Sequence, residues 1–150
     1  MKKAHLSTLA ALAMIASTAA MAEVVAPDSV KFEGELVTTS LTGMPGDPAK
    51  GREIFANRKQ GNCLACHVNA DLSDLPFHGE VGPPLDGVAN RYEEAELRAI
   101  LINSKMVFGD ETIMPSFYRL KNGARTMEKF QGKTILTAEQ VEDVLAYLKT

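Results

Sequence analysis

Gly61-Asn62-Cys63-Leu64-Ala65-Cys66-His67 decides how the rest of the chain is read. Two thiols three residues apart, followed at once by a histidine, form the attachment pattern of a c-type haem. If the stretch begins as a helical turn, Cys63 and Cys66 share one face. Each can then form a thioether to the same porphyrin edge, and His67 can swing its imidazole under the iron. Two other uses of a Cys-x-x-Cys pair fit less well. A structural zinc needs four ligands, and outside the motif the chain has no third cysteine and only His5 and His78. A redox dithiol expects a βαβ surrounding, whereas the flanks here read as helix and then a Gly/Pro loop.

The 150 residues suit one domain. The start reads as an export signal: Lys2 and Lys3 supply positive charge, 9–16 is an apolar run, and Ala20-Met21-Ala22 is a cleavage site. The run is too short and wrongly flanked to span a membrane, and no later stretch is apolar enough to do so. The mature chain is therefore expected to begin at Glu23 and to be exported. The whole chain has 16 basic and 19 acidic residues, and loss of the two signal lysines leaves 14 against 19, a net of −5. That balance argues against a nucleic-acid surface. Both cysteines lie in one motif, so there is no disulfide framework and no thiol left over once a haem is attached.

Along the chain, 23–46 is mixed, with short apolar pieces around Val24, Phe32 and Leu36 broken by Gly34, Gly43, Pro45 and Gly46. It reads either as a mobile leader or as an arm that packs on a partner. Asp47-Pro48 opens a first helix, with aspartate as cap and proline at the first position. Gly51 within it suggests close approach by another helix. Residues 68–76 look like a loop carrying Asp71 and Asp74, and 77–87 is too rich in Gly and Pro to be helical. A second helix is predicted over 93–103, followed by a turn through Gly109. Residues 121–131 read as loop. Thr137-Ala138-Glu139-Gln140 is a capping box. It opens a terminal helix whose Val141, Val144, Leu145 and Leu148 form one apolar stripe.

A thioether sulfur would close the sixth iron position and raise the potential. Met106, Met114 and Met127 follow the motif, and His78 is the only histidine alternative. Met114 is preferred because Pro115 holds it in non-helical backbone and the aromatics Phe117 and Tyr118 follow. The other two methionines read as core fillers and His78 as a surface loop residue. Ile113, Phe117, Tyr118 and Leu97 are the expected haem wall.

From residue 47 to the end the sequence resembles the class I cytochrome c family. Gly51 and Phe55, facing Tyr147 and Leu148, are similar to that family's terminal helix crossing. Gly82-Pro83-x-Leu85 is similar to its proline loop, and the resemblance gives the Pro83 carbonyl the role of acceptor for the His67 N–H. Met114-Pro115 is similar to its distal ligand. More closely, 41–48, 57–67, 114–119 and 135–144 are similar to the SoxX family, the monohaem subunits of SoxAX sulfur-oxidation complexes.

The resemblance implies an all-α, class I cytochrome c-like helical domain over 47–150. That domain surrounds one covalently bound haem c, with iron ligated by His67 and Met114. Residues 1–22 are the signal and 23–46 an N-terminal extension. It also implies a periplasmic heterodimer with a SoxA-type subunit, in a complex that oxidatively couples thiosulfate to a cysteine of the SoxYZ carrier, an L-cysteine S-thiosulfotransferase activity. With both thiols consumed and the iron saturated, this chain would have no catalytic residue. It would pass electrons while SoxA carries the reactive cysteine. A free-standing periplasmic electron shuttle is the alternative, and haem sensing or peroxidase activity would need an open sixth position.

Overall fold

The computed structural model describes residues 23–150; the expected export signal, 1–22, lies outside them. Among the described residues there are three α-helices and one isolated backbone bridge, between Glu33 and Leu36, in place of any sheet. The helices are α1, Pro48–Ala56; α2, Glu94–Phe108; and α3, Ala138–Leu148.

α1 starts where Asp47 accepts from the backbone N–H groups of Ala49 and Lys50 at 2.9 and 3.3 Å, with Pro48 needing no partner. α3 starts on a reciprocal capping box. Gln140 N–H donates to the Thr137 hydroxyl at 3.2 Å, and the Gln140 side chain accepts from Thr137 N–H at 2.9 Å. Its inner stripe buries Val141, Val144, Leu145 and Tyr147. α1 crosses α3 at Gly51, where a Cβ atom would lie 2.0 Å from the Asp143 carbonyl oxygen. Only hydrogen fits there, so the two backbones touch. One turn on, the rings of Phe55 and Tyr147 meet edge to face with centroids 5.5 Å apart. The Tyr147 hydroxyl donates to Asp71 at 2.8 Å, and Arg52 Nε donates to the same oxygen at 2.7 Å. Burial, then the bond to Asp71, raises the Tyr147 phenol, so it stays a donor.

Residues 23–46 lie against their own domain rather than standing free of it. Val37 and Leu41 are fully buried. The Val37 N–H donates to the Ala95 carbonyl at 3.0 Å and Leu41 N–H to Glu142 Oε1 at 2.8 Å. Arg98 of α2 and Glu142 of α3 form a buried ion pair at 3.0 Å, and Arg98 also donates to the Val37 carbonyl at 3.2 Å. One charge pair thus ties together the extension, α2 and α3. Glu94 completes the arginine's shell at 2.7 Å.

α2 runs five residues past the predicted end. No Gly or Pro interrupts 104–108, and the helix resumes after a break at Asn103, whose φ/ψ of −149/84 is not helical. Gly109 then ends it with φ 80. Short 3-10 turns at Ala70–Leu72 and Glu128–Phe130 lie within stretches read as plain loop.

Candidate cofactor site

The motif folds as a 3-10 turn over Cys63–Ala65, entered through Asn62 in the left-handed region at φ 52. The N–H groups of Cys66 and His67 both return to the Cys63 carbonyl, at 3.1 and 3.0 Å. Leu64 points into the core, while Cys63, Cys66 and His67 line a cavity of about 440 Å³. All three helices wall it: Phe55 from α1, Leu97 and Ile100 from α2, Val144 and Leu148 from α3.

Protein interiors hold few voids larger than a water molecule. The lining is mostly apolar, so the cavity suits a large apolar occupant, and the groups around it are two thiols, an imidazole and a thioether. A haem fits both the walls and the donor set.

The His67 imidazole is held in one tautomer. His67 Nδ1 lies 2.7 Å from the Pro83 carbonyl oxygen. A carbonyl only accepts, so Nδ1 carries the proton and Nε2 keeps its lone pair. The proline loop is laid along the motif by backbone bonds. Gly79 N–H donates to Leu64 O at 2.7 Å, Gly82 to Cys66 O at 2.8 Å and Leu85 to Val68 O at 2.9 Å. Gly82 is required by this approach, because a Cβ there would come within 2.3 Å of His67 Cε1. Arg91 fixes the far side of the loop by donating to the carbonyls of Pro84 at 2.6 Å and Asp86 at 2.9 Å.

Met114 and Pro115 reach the same cavity from the loop after α2. Met106 and Met127 do not line it, and both are exposed. His78 is turned elsewhere: Nε2 donates to the Leu72 carbonyl at 3.0 Å and Nδ1 accepts from Asn69 N–H at 3.4 Å. Leu97, Ile113 and Phe117 are cavity residues, with Ile113 at the rim and 75% exposed.

Tyr118 is a correction. It is buried, but it does not line the cavity; its hydroxyl donates to the Val25 carbonyl at 2.7 Å. Phe117 turns to the cavity, and the next side chain, Tyr118, turns to the extension. Tyr92, Phe108, Val81 and the Arg91 brace were missed. The apolar ones carry no signal distinct from ordinary core, and nothing in the sequence marks Arg91 as a loop brace.

The Cys63 thiol does not behave as one of a redox dithiol. Such sites lower a cysteine pKa, whereas burial pushes the Cys63 thiol up to about 12. Among the described residues no group of three or more His, Cys, Asp or Glu side chains is placed to hold a metal ion. None of their helices is long and apolar enough to cross a membrane.

The sequence model of the family described as Cytochrome c matches residues 48–150. No curated protein matches the chain. Among solved structures, a chain of the crystal structure of SoxXA from P. pantotrophus is similar at 43% identity with a TM-score of 0.76. The match covers 83% of this chain and 96% of that one.

Proposed function

This chain belongs to the cytochrome c family, as a SoxX-type member carrying one covalently bound haem c. From that premise we propose that it is the periplasmic electron-transfer subunit of a SoxAX complex. In this reading Cys63 and Cys66 would carry the two thioethers, and His67 and Met114 would offer a nitrogen and a sulfur to the iron. The bound haem supplies a one-electron couple. The residues around it set the conditions. Pro83 fixes the His67 tautomer and the orientation of its ring. Met114 would offer a thioether sulfur, a donor that favours the reduced state. The apolar walls disfavour added charge on the iron and exclude water.

The observation that carries the reading is that one cavity receives His67 and Met114 together, along with both thiols. With both residues engaged, the iron would keep no position for substrate. No thiol remains on the chain to accept a sulfane group, so bond making would fall to a SoxA-type partner and to the cysteine of a SoxYZ-type carrier.

The test is to mix oxidised holoprotein with thiosulfate, alone and with a SoxA-type subunit and SoxYZ. Haem reduction only in the full mixture is expected. Reduction by thiosulfate alone, or none with every component present, contradicts the assignment.

A further inference from the structure

We infer that Ser104 is a positioning residue that locks the Met114 loop, and that the break in α2 at Asn103 exists to bring it there. This deepens the proposed function and rests on Met114 being the axial ligand.

Ser104 has no exposure to solvent, an unusual place for serine outside a hydrogen-bonded network. Its hydroxyl donates to the backbone carbonyl of Met114 at 2.7 Å. The Ser116 hydroxyl, on the other side of Met114, donates to Asn103 Oδ1 at 2.9 Å. The two hydroxyl oxygens are 3.5 Å apart. Each hydroxyl has one proton, and both are already committed, so this last contact adds nothing.

A break in a helix deprives the carbonyls before it of their usual donors. Here the carbonyl of Leu101 accepts from Phe117 N–H at 3.0 Å and that of Ile102 from Tyr118 N–H at 3.2 Å. Four bonds, from Ser104, Ser116, Phe117 and Tyr118, therefore fasten the 114–118 stretch to the break. All involve residues within two positions of Asn103, whose backbone is non-helical. An unbroken helix would present neither the carbonyls nor the Ser104 hydroxyl in this way. Of these four, only the Ser104 bond reaches Met114 itself; the Met114 N–H donates within its own loop, to the Thr112 hydroxyl at 3.4 Å.

An exogenous ligand can bind the iron only in the fraction of molecules whose Met114 has swung away, and its apparent affinity scales with that fraction. Removing a lock on the closed loop raises the fraction.

The test is titration of ferric holoprotein with imidazole. The variants are wild type, Ser104→Ala, Ser104→Thr, Ser116→Ala and Met114→Ala. Met114→Ala should bind most tightly. Ser104→Ala should bind roughly tenfold more tightly than wild type, the loss expected for one buried hydrogen bond. Ser104→Thr should return most of the way. Ser116→Ala, which loosens the loop one step removed, should shift in the same direction by less, and it carries the test should Ser104→Ala not fold. A lower melting temperature for Ser104→Ala with wild-type imidazole affinity, alongside tight binding by Met114→Ala, overturns the lock and leaves the ligand standing. Wild-type affinity in Met114→Ala overturns both.

Discussion

Gly51→Ala adds one methyl at the crossing of α1 and α3. The new carbon would lie 2.0 Å from the Asp143 carbonyl oxygen, 2.5 Å from its carbon and 2.8 Å from Tyr147 Cβ. Ordinary contact begins at 3.4 Å, so the helices must part by 3.4 − 2.0, or 1.4 Å. Two of the three obstacles are helix backbone and cannot swing aside. A gap of roughly 0.5–1 Å already forfeits a quarter to a half of a dispersion contact, so the Phe55–Tyr147 pairing beside it weakens too. Overpacking costs about 1–3 kcal/mol, and a backbone obstacle places this case near about 3. Alanine returns about 1 kcal/mol through its helix propensity. The net loss is about 2 kcal/mol, or roughly 5–10 °C in melting temperature for a domain of this size. Urea unfolding of the holoprotein, followed by haem absorbance and far-UV circular dichroism, measures it. The two terms have opposite signs, so the experiment is decisive. A Gly51→Ala protein as stable as wild type, or more so, would show that the helices do not cross at this distance.

Gly82→Ala places a methyl 2.3 Å from His67 Cε1; the imidazole must shift and stretch its 2.7 Å bond to Pro83. The low-spin ferric electron paramagnetic resonance signal should broaden or divide, and an unchanged signal would remove the proposed contact. Arg98→Ala leaves the Glu142 carboxylate buried beside the Leu41 N–H without its partner. About 3–5 kcal/mol of stability should be lost, with new protease cleavage within 23–46, and resistance equal to wild type would mean that the pair does not hold the extension. Asp71 is held below 3.8 by Arg52 and then Tyr147, and Glu94 below 4.5 by Lys149 and then Arg98. Lowered folded values mean that their contribution is complete above those ordinary values and is lost as pH falls through the folded ones. Stability should therefore hold down to about pH 5 and decline below about 4.5. The Asp71→Asn/Glu94→Gln variant should decline less steeply, and an identical slope would place the acid sensitivity elsewhere.

What could be read from the sequence was whatever has a local cause. Asp47-Pro48 and the Thr137–Gln140 box set helix starts through neighbours three residues away or fewer. Cys63, Cys66 and His67 carry their chemistry in their spacing. Gly51 announced a close approach because nothing else explains glycine in an amphipathic helix. The features that escaped depend on distant groups. The break at Asn103 has no Pro or Gly to mark it, because its compensation comes from Phe117, Tyr118 and Ser116 further along the chain. Tyr118 looked like cavity wall by proximity to Met114, yet its hydroxyl finds Val25, 93 residues away. The anchoring of 23–46 likewise rests on an ion pair between two other elements, Arg98 and Glu142.

The central claim is that one iron is closed on both sides by this chain, through His67 and Met114, so that it relays electrons and makes no bond to substrate. Near-infrared absorption of the oxidised holoprotein tests it most directly. A sulfur-to-iron charge-transfer band in the wild type, lost in Met114→Ala and kept in Met106→Ala and Met127→Ala, is the predicted result. A high-spin ferric spectrum without that band, or a band that survives in Met114→Ala, would contradict it.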